Sequence, residues 1–473
     1  MHGIVLWLAI AAGGAVFLTG CSFYNRSYST AQSSVSSAAY DLNIVQLDDF
    51  GSFWDPAEAA ELIKAVDVQS QTMNTLVLLF VHGWHHNATP GDANLADFKE
   101  SLAQLSTELS QPKRRETRQE LTGSPEIKVI GIYVGWRGRS LPGFLDYATM
   151  WWRKGAAERV GDGDVAEFLE RLQRIYLRAN AFKRYQQNPG KTPFMGLVTI
   201  GHSFGAQVVL KSVCRALEGE LVERAPRQTD AVTVPSAPEN PVPERVPIDS
   251  FGDLNILLNP ALEAYQYARI DGLYRQLSYP STQTPQLVVF SADNDVPRQL
   301  FFPIARGITR PFRPSFRNPY QGALWGKALG ELPNQQTHEL RLATGEPDSL
   351  TDADYSVDRR HRIAEHDFTA ATVFAGIRLG PLPSPQVIPN SPVAVVVTHD
   401  KIIDGHDGIF LPGFKKFLAP YIAFIEGKRA VLQFERFQTL ARTGKSDSEF
   451  IMLLGAEWGP HGPGGGPDKL KVL

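Results

Sequence analysis

Six apolar runs of strand length recur along the chain: TLVLLFVHG (75–83), IKVIGIYVGW (127–136), FMGLVTIGHS (194–203), LNILLNPA (254–261), QLVVFSAD (286–293) and VAVVVTHD (393–400). A strand with one wet face alternates polar and apolar residues. These runs do not alternate, so they predict strands buried on both faces of a parallel sheet. Helical patterns lie between them. Leu95, Phe98, Leu102, Leu105 and Leu109 fall at three- and four-residue spacing, as do Val165, Phe168, Leu169, Leu172, Ile175 and Tyr176. Each set makes one apolar stripe on a helix. Strand–helix alternation predicts an α/β fold with a doubly wound, mostly parallel sheet and right-handed crossovers.

Composition sets the limits of this reading. Of 473 residues 43% are hydrophobic, enough for a substantial core, so wholesale disorder is excluded. The formal charge of −3 lacks the basic bias of a general nucleic-acid binder. Two cysteines make neither a disulfide framework nor a cysteine-based zinc cluster. Two segments break the strand–helix rhythm. Residues 224–248 carry six prolines and few large apolar residues, and predict a surface excursion. Residues 301–390, between two expected strands, mix proline with aromatic residues and predict a cap-like insertion. The Gly- and Pro-rich end, residues 455–473, predicts a disordered tail.

The chain begins with an apolar run, Ile4 to Thr19, that ends in Leu18-Thr19-Gly20-Cys21, and no Lys, Arg, Asp or Glu precedes Arg26. This ending resembles the lipobox of bacterial lipoproteins. The resemblance implies removal of residues 1–20 and diacylglycerol on the Cys21 thiol. An uncleaved signal anchor is the alternative, although the run is shorter than the roughly 20 residues of a spanning helix. Either way the expected partner is a membrane of the bacterial cell envelope. Ser22 resembles the outer-membrane form of the sorting signal. Residues 21–40, rich in Ser, Thr and Ala, predict a flexible tether, leaving 41–435 as the folded domain. Cys214, on a predicted helix face, is expected to be a small buried hydrophobe.

Within the domain, Gly201-His202-Ser203-Phe204-Gly205 fits G-x-S-x-G between a buried strand and a helix with Val208, Val209, Val213 and Leu217 on one stripe. A sharp strand–turn–helix holds such a serine in a strained conformation, with Gly201 and Gly205 removing side chains that would collide. The hydroxyl then stands at the helix N-terminus, where the dipole favours developing negative charge. The run at 75–83 ends in His82-Gly83, followed by Trp84. A glycine there lets the backbone pass close to a substrate. The amides of Trp84 and Phe204 become candidate donors to an oxyanion.

HGW after a buried strand and GHSFG at a strand–helix turn resemble the α/β-hydrolase superfamily of serine esterases and lipases, over about residues 70–430. VGWRG (134–138), WWRKGAA (151–157) and NPALEA (259–264) also resemble segments of hydrolases in that superfamily. The resemblance implies the chain order serine, acid, histidine. The acid is then Asp295 or, alternatively, Asp293, both at the end of the 286–293 run, with Glu263 a distant third. The base is His406, in the glycine-flanked loop DGHDGI, rather than His399, which sits too close to its strand. The implied activity is hydrolysis of a small-molecule or lipid carboxylic ester through an acyl-enzyme, with no cofactor. Thioesters and amides remain open, because fold does not choose the substrate. The alternative from another class is a non-catalytic envelope lipoprotein that uses the hydrolase fold as a binding module. His82, His85 and His86 lack carboxylate or cysteine partners at ligand spacing, so no metal is expected.

Overall fold

The computed structural model describes residues 26–28, 34–141, 146, 149–226, 242–243, 247–296, 315–366, 368–383 and 387–444. The signal segment 1–20, Cys21, most of the Pro-rich excursion, the first part of the 301–390 insertion and the tail 455–473 lie outside the described residues.

In chain order the strands are β1 (Val35–Ser36), β2 (Tyr40–Gln46), β3 (Asn74–Val81), β4 (Ile127–Gly135), β5 (Met195–His202), β6 (Val242–Pro243), β7 (Leu254–Leu258), β8 (Leu277–Ser278), β9 (Leu287–Ala292), β10 (His338–Leu342), β11 (Thr372–Phe374), β12 (Ile377–Pro381) and β13 (Val393–Thr398). β6 and β8 pair with each other, and the other eleven form one sheet in the order β1-β2-β4-β3-β5-β7-β9-β13-β10-β12-β11. From β2 to β10 every neighbour is parallel, while β1, β12 and β11 are antiparallel additions at the edges. The architecture is α/β with a large, mostly parallel mixed sheet.

The helices are α1 (Pro56–Thr72), α2 (Ala93–Leu109), α3 (Pro112–Thr122), α4 (Met150–Asp162), α5 (Asp164–Ala179), α6 (Phe182–Gln187), α7 (Phe204–Arg224), α8 (Ala268–Tyr274), α9 (Pro319–Gly326), α10 (Arg360–Glu365) and α11 (Pro412–Thr443). Their apolar stripes cover both faces of the sheet. Val77, Leu79 and Leu197 on one face pack with α4, α5 and α7, through residues such as Val160, Phe168 and Val209. Leu76, Leu78 and Phe80 on the other face pack with α2 and α11, through Leu102, Phe417 and Tyr421. Every residue of β3 and β5 is therefore buried, which explains why their sequences are continuous rather than alternating. Cys214 is buried on α7 as a free thiol.

Three boundaries differ from the sequence reading. The stretch read as tether enters the fold early. Val35–Ser36 pairs with the start of β2, and the Tyr28 amide donates to Gln46 Oε1 at 2.8 Å. The domain continues past residue 435, because α11 runs to Thr443. The described later part of the 301–390 insertion extends the sheet beyond β13, as β10, β12 and β11, rather than lying over it as a cap. β10 escapes a sequence search because HELRL, although paired on both sides, carries half-buried and exposed polar residues and only two buried positions.

Candidate active site

The strand order decides where a site can form. β4 lies on one side of β3, and β5, the next strand in the chain, lies on the other. Loops leaving the carboxyl ends of β3 and β5 therefore diverge. Such a switch point opens a crevice in parallel sheets. Gly83 and Trp84 follow β3 there, and Ser203 follows β5.

Ser203 is the N-cap of α7 with φ 55° and ψ −118°. A positive φ in a non-glycine residue is strained and is retained only where the surroundings enforce it. Here the Ser203 amide donates to the Leu258 carbonyl at 3.0 Å, and the Ser203 carbonyl accepts from the amides of Ala206 and Ala261. The glycines are explained by close approach. A Cβ on Gly201 would stand 2.5 Å from the Gly205 carbonyl oxygen, and one on Gly83 would stand 2.7 Å from Ser203 Cβ. A Cβ on Gly205 would run into the Val81 carbonyl oxygen. The β3 loop and the turn after β5 are thus pressed together, with the backbone at Gly83 beside the serine side chain. Phe204 opens α7, where an amide has no acceptor inside its own helix.

The base and the acid meet the serine. His406 Nε2 lies 2.7 Å from Ser203 Oγ, and His406 Nδ1 lies 2.8 Å from Asp295 Oδ2. The Asp295 side chain is fully buried and that of His406 is 13% exposed. Ser203 is itself 2% exposed, so the serine–imidazole–carboxylate array is buried and the imidazole is its most open member. The two acids left open by the sequence separate here. Asp293 is turned to His399, with Oδ2 at 2.7 Å from Nδ1, and its side chain is 41% exposed. The structure brings Asp295, not Asp293, to His406. Glu263 is engaged elsewhere, 3.2 Å from Lys154.

Several supporting residues were not found in the sequence. Asn259, at φ 41° and fully buried, donates through Nδ2 to the carbonyls of Gly405 and His406 at 3.0 and 2.9 Å. Its Oδ1 accepts from the Ala292 amide at 2.8 Å. One amide side chain thus joins the end of β9, which leads to the acid, to the loop that carries the base. Asn294 adds a second tie, its Oδ1 accepting from the Gly405 amide at 2.9 Å. His202 Nε2 lies 3.0 Å from the His406 carbonyl oxygen, so that nitrogen carries the proton. Burial, reinforced by the neighbouring His406, lowers the His202 pKa to about 3 and keeps it neutral. His202 and Asn259 fall inside the GHSFG and NPALEA segments, but their supporting roles are not legible there, because each contact joins parts of the chain far apart in sequence.

The histidines after β3 have separate roles. His82 is fully buried and its Nε2 accepts from the Trp136 amide at 3.0 Å. The proton is therefore on Nδ1, which donates to the Gly83 carbonyl at 2.8 Å, and desolvation lowers the pKa to about 4. His82 thereby braces the turn that presents Gly83. His85, at φ 69°, stacks on Trp84 with ring centroids 3.8 Å apart and places Nδ1 2.8 Å from Asp146 Oδ2. His86 pairs with Asp92 at 3.2 Å.

Among the described residues His202, His406 and Asp407 offer ligand atoms within 4.8 Å of one another. Both ring nitrogens of His406 already bond Ser203 and Asp295, and the His202 Nε2 proton is on a carbonyl. A cation there would have to break these bonds, so the donor set does not fit a metal. No family model, curated protein or solved structure matches this chain.

Proposed function

We propose that this protein is a serine hydrolase with an α/β-hydrolase fold that cleaves carboxylic esters and is tethered to a bacterial envelope membrane through Cys21 or the apolar segment before it. The observation that carries the catalytic reading is the unbroken relay from Ser203 Oγ through His406 to buried Asp295, with the serine in a strained turn at a helix N-terminus. His406 Nε2 takes the hydroxyl proton as Ser203 Oγ attacks the acyl carbonyl carbon. Asp295 holds the imidazole in the required tautomer and stabilises its cation. The amides of Trp84 and Phe204 receive the charge that forms on the carbonyl oxygen. The proton on Nε2 passes to the departing alkoxide as the acyl-enzyme forms. Water then attacks the acyl carbon, gives a proton to the same nitrogen, and the acid leaves with Ser203 reprotonated. Each step uses only these residues and water.

The test is hydrolysis of a series of p-nitrophenyl esters of increasing acyl length. The wild type is expected to turn over part of the series. Ser203→Ala is expected to lose roughly 10³-fold or more with its fold intact. A folded wild type without turnover across esters, thioesters and amides would favour the binding-module reading.

A further inference from the structure

The exposed large apolar side chains are not scattered evenly. Among the described residues Phe50 and Trp54 follow β2, Trp152 opens α4 after β4, Tyr265 follows β7, Val296 follows Asp295, Leu342 ends β10 and Leu411 follows the His406 loop. All lie at the carboxyl ends of parallel strands, the end at which Ser203 sits. Phe50 is 79% exposed and Trp152 62%. Val68, Leu177 and Val222, near the last turns of α1, α5 and α7, are single aliphatic residues at the opposite end. Four of these seven at the site end are aromatic, and Trp and Tyr favour the boundary between water and lipid.

The chain enters at this same end. Tyr28 is clamped to Gln46, the last residue of β2, by its amide to Oε1 and its carbonyl from Nε2, each at 2.8 Å. Arg26 lies beside it, with its guanidinium carbon 5.5 Å from the centre of the Tyr28 ring. Cys21 is five residues before Arg26. Even fully extended, five residues span only about 17 Å. Whatever holds the N-terminal segment in a membrane therefore holds this end of the sheet close to that membrane.

We propose that the carboxyl-end face of the sheet lies against the lipid bilayer that takes the N-terminal segment, so that the Ser203 site opens toward the membrane and draws its ester substrate from the lipid phase. The inference rests on the tethered reading above. The attraction is apolar, because exposed Asp293, Asp400 and Asp404 share this end with exposed Lys401 and Lys416, so that charges of both signs offset one another. Neutral phosphatidylcholine is therefore the appropriate surface. Side chains such as these penetrate the headgroup boundary by roughly 5–10 Å in peripheral proteins.

The experiment uses the full chain reconstituted into phosphatidylcholine vesicles with brominated acyl chains. An environment-sensitive fluorophore is placed at one position at a time, in Phe50→Cys, Tyr265→Cys, Val68→Cys and Leu177→Cys. Flotation of the vesicles first reports whether the chain is tethered. The result expected is a blue shift and strong quenching by bromolipid at 50 and 265, with neither at 68 and 177. Flotation with all four labels unquenched would overturn the docking while leaving the tether intact. A blue shift at 50 and 265 without bromolipid quenching would mean that a second copy covers the face, which also overturns it. Failure to float would overturn the tether, and the docking with it. Two labels at each end keep the outcome readable if one variant folds poorly.

Discussion

At the scale of single residues the account turns on which carboxylate faces which imidazole. Asp293 and Asp295 are two positions apart, and the sequence alone allows either to be the acid. The backbone turn after β9 sends them to different histidines. Asp295 is buried against His406, and Asp293 is half-exposed against His399. Asp295→Asn, which removes the charge and the tautomer control but keeps the shape, is expected to reduce kcat by roughly 10³- to 10⁴-fold. Asp293→Asn is expected to leave kcat unchanged. Steady-state rates on the best ester decide it, and the reverse pattern would exchange the two assignments. The serine and the base are readable from local sequence because glycines flank both. The acid is not, since a strand run tells where a loop begins and not how it turns.

At the scale of elements, the centre of the sheet is legible because β3, β4, β5, β7, β9 and β13 are almost wholly buried on both faces and therefore mostly apolar, without alternation. The edges are not. Tyr40–Gln46 has half-buried polar positions and follows a Ser-rich stretch, and β10 and β12 carry Arg341 and Arg378 where the sheet meets solvent. The supports of the site are hidden for a different reason. Asn259 acts by joining the ends of β7 and β9 to the loop after β13, a contact across 147 residues. Asn259→Ala would take the donor from the Gly405 carbonyl and leave the His406 carbonyl with His202 alone, at about 1–3 kcal/mol for a buried group left unsatisfied. The expected result is a kcat reduced roughly 10- to 100-fold, with KM little changed and the same pH profile at a lower plateau. A variant that unfolds more readily yet keeps the wild-type kcat would show that the loop is held by other means.

At the scale of the whole molecule, burial of histidines makes stability depend on pH with a definite sign. Desolvation lowers His82 and His338 to about 4 and His202 to about 3. Between those values and the ordinary 6.5 the unfolded chain binds protons that the folded chain refuses. Stability from these groups is complete above pH 6.5 and is lost as pH falls through that window, about 2 kcal/mol for each histidine by pH 5. Asp271, raised by burial to about 6, has the opposite slope, since its contribution is lost as pH rises toward 6. Burial raises Asp97, Glu220, Asp253, Glu426 and Glu435 in the same direction, while hydrogen bonds and ion pairs lower Asp92, Asp146, Glu158 and Asp354. The carboxyls thus oppose one another, and the three histidines, which all act in one direction, set the decline on acidification. Urea midpoints are therefore expected to be lower at pH 5 than at pH 7, and an equal or higher midpoint at pH 5 would contradict the burial account. All these groups serve a fold that brings Ser203, His406 and Asp295 together, and the central claim is that this arrangement activates the serine. The most direct measurement is labelling of the full-length protein with a fluorophosphonate, located by mass spectrometry of the digested chain. The account predicts phosphonylation at Ser203, lost in Ser203→Ala and strongly slowed in His406→Ala. Folded wild type that resists the probe, in detergent as well as in buffer, or label on a different serine, would contradict it.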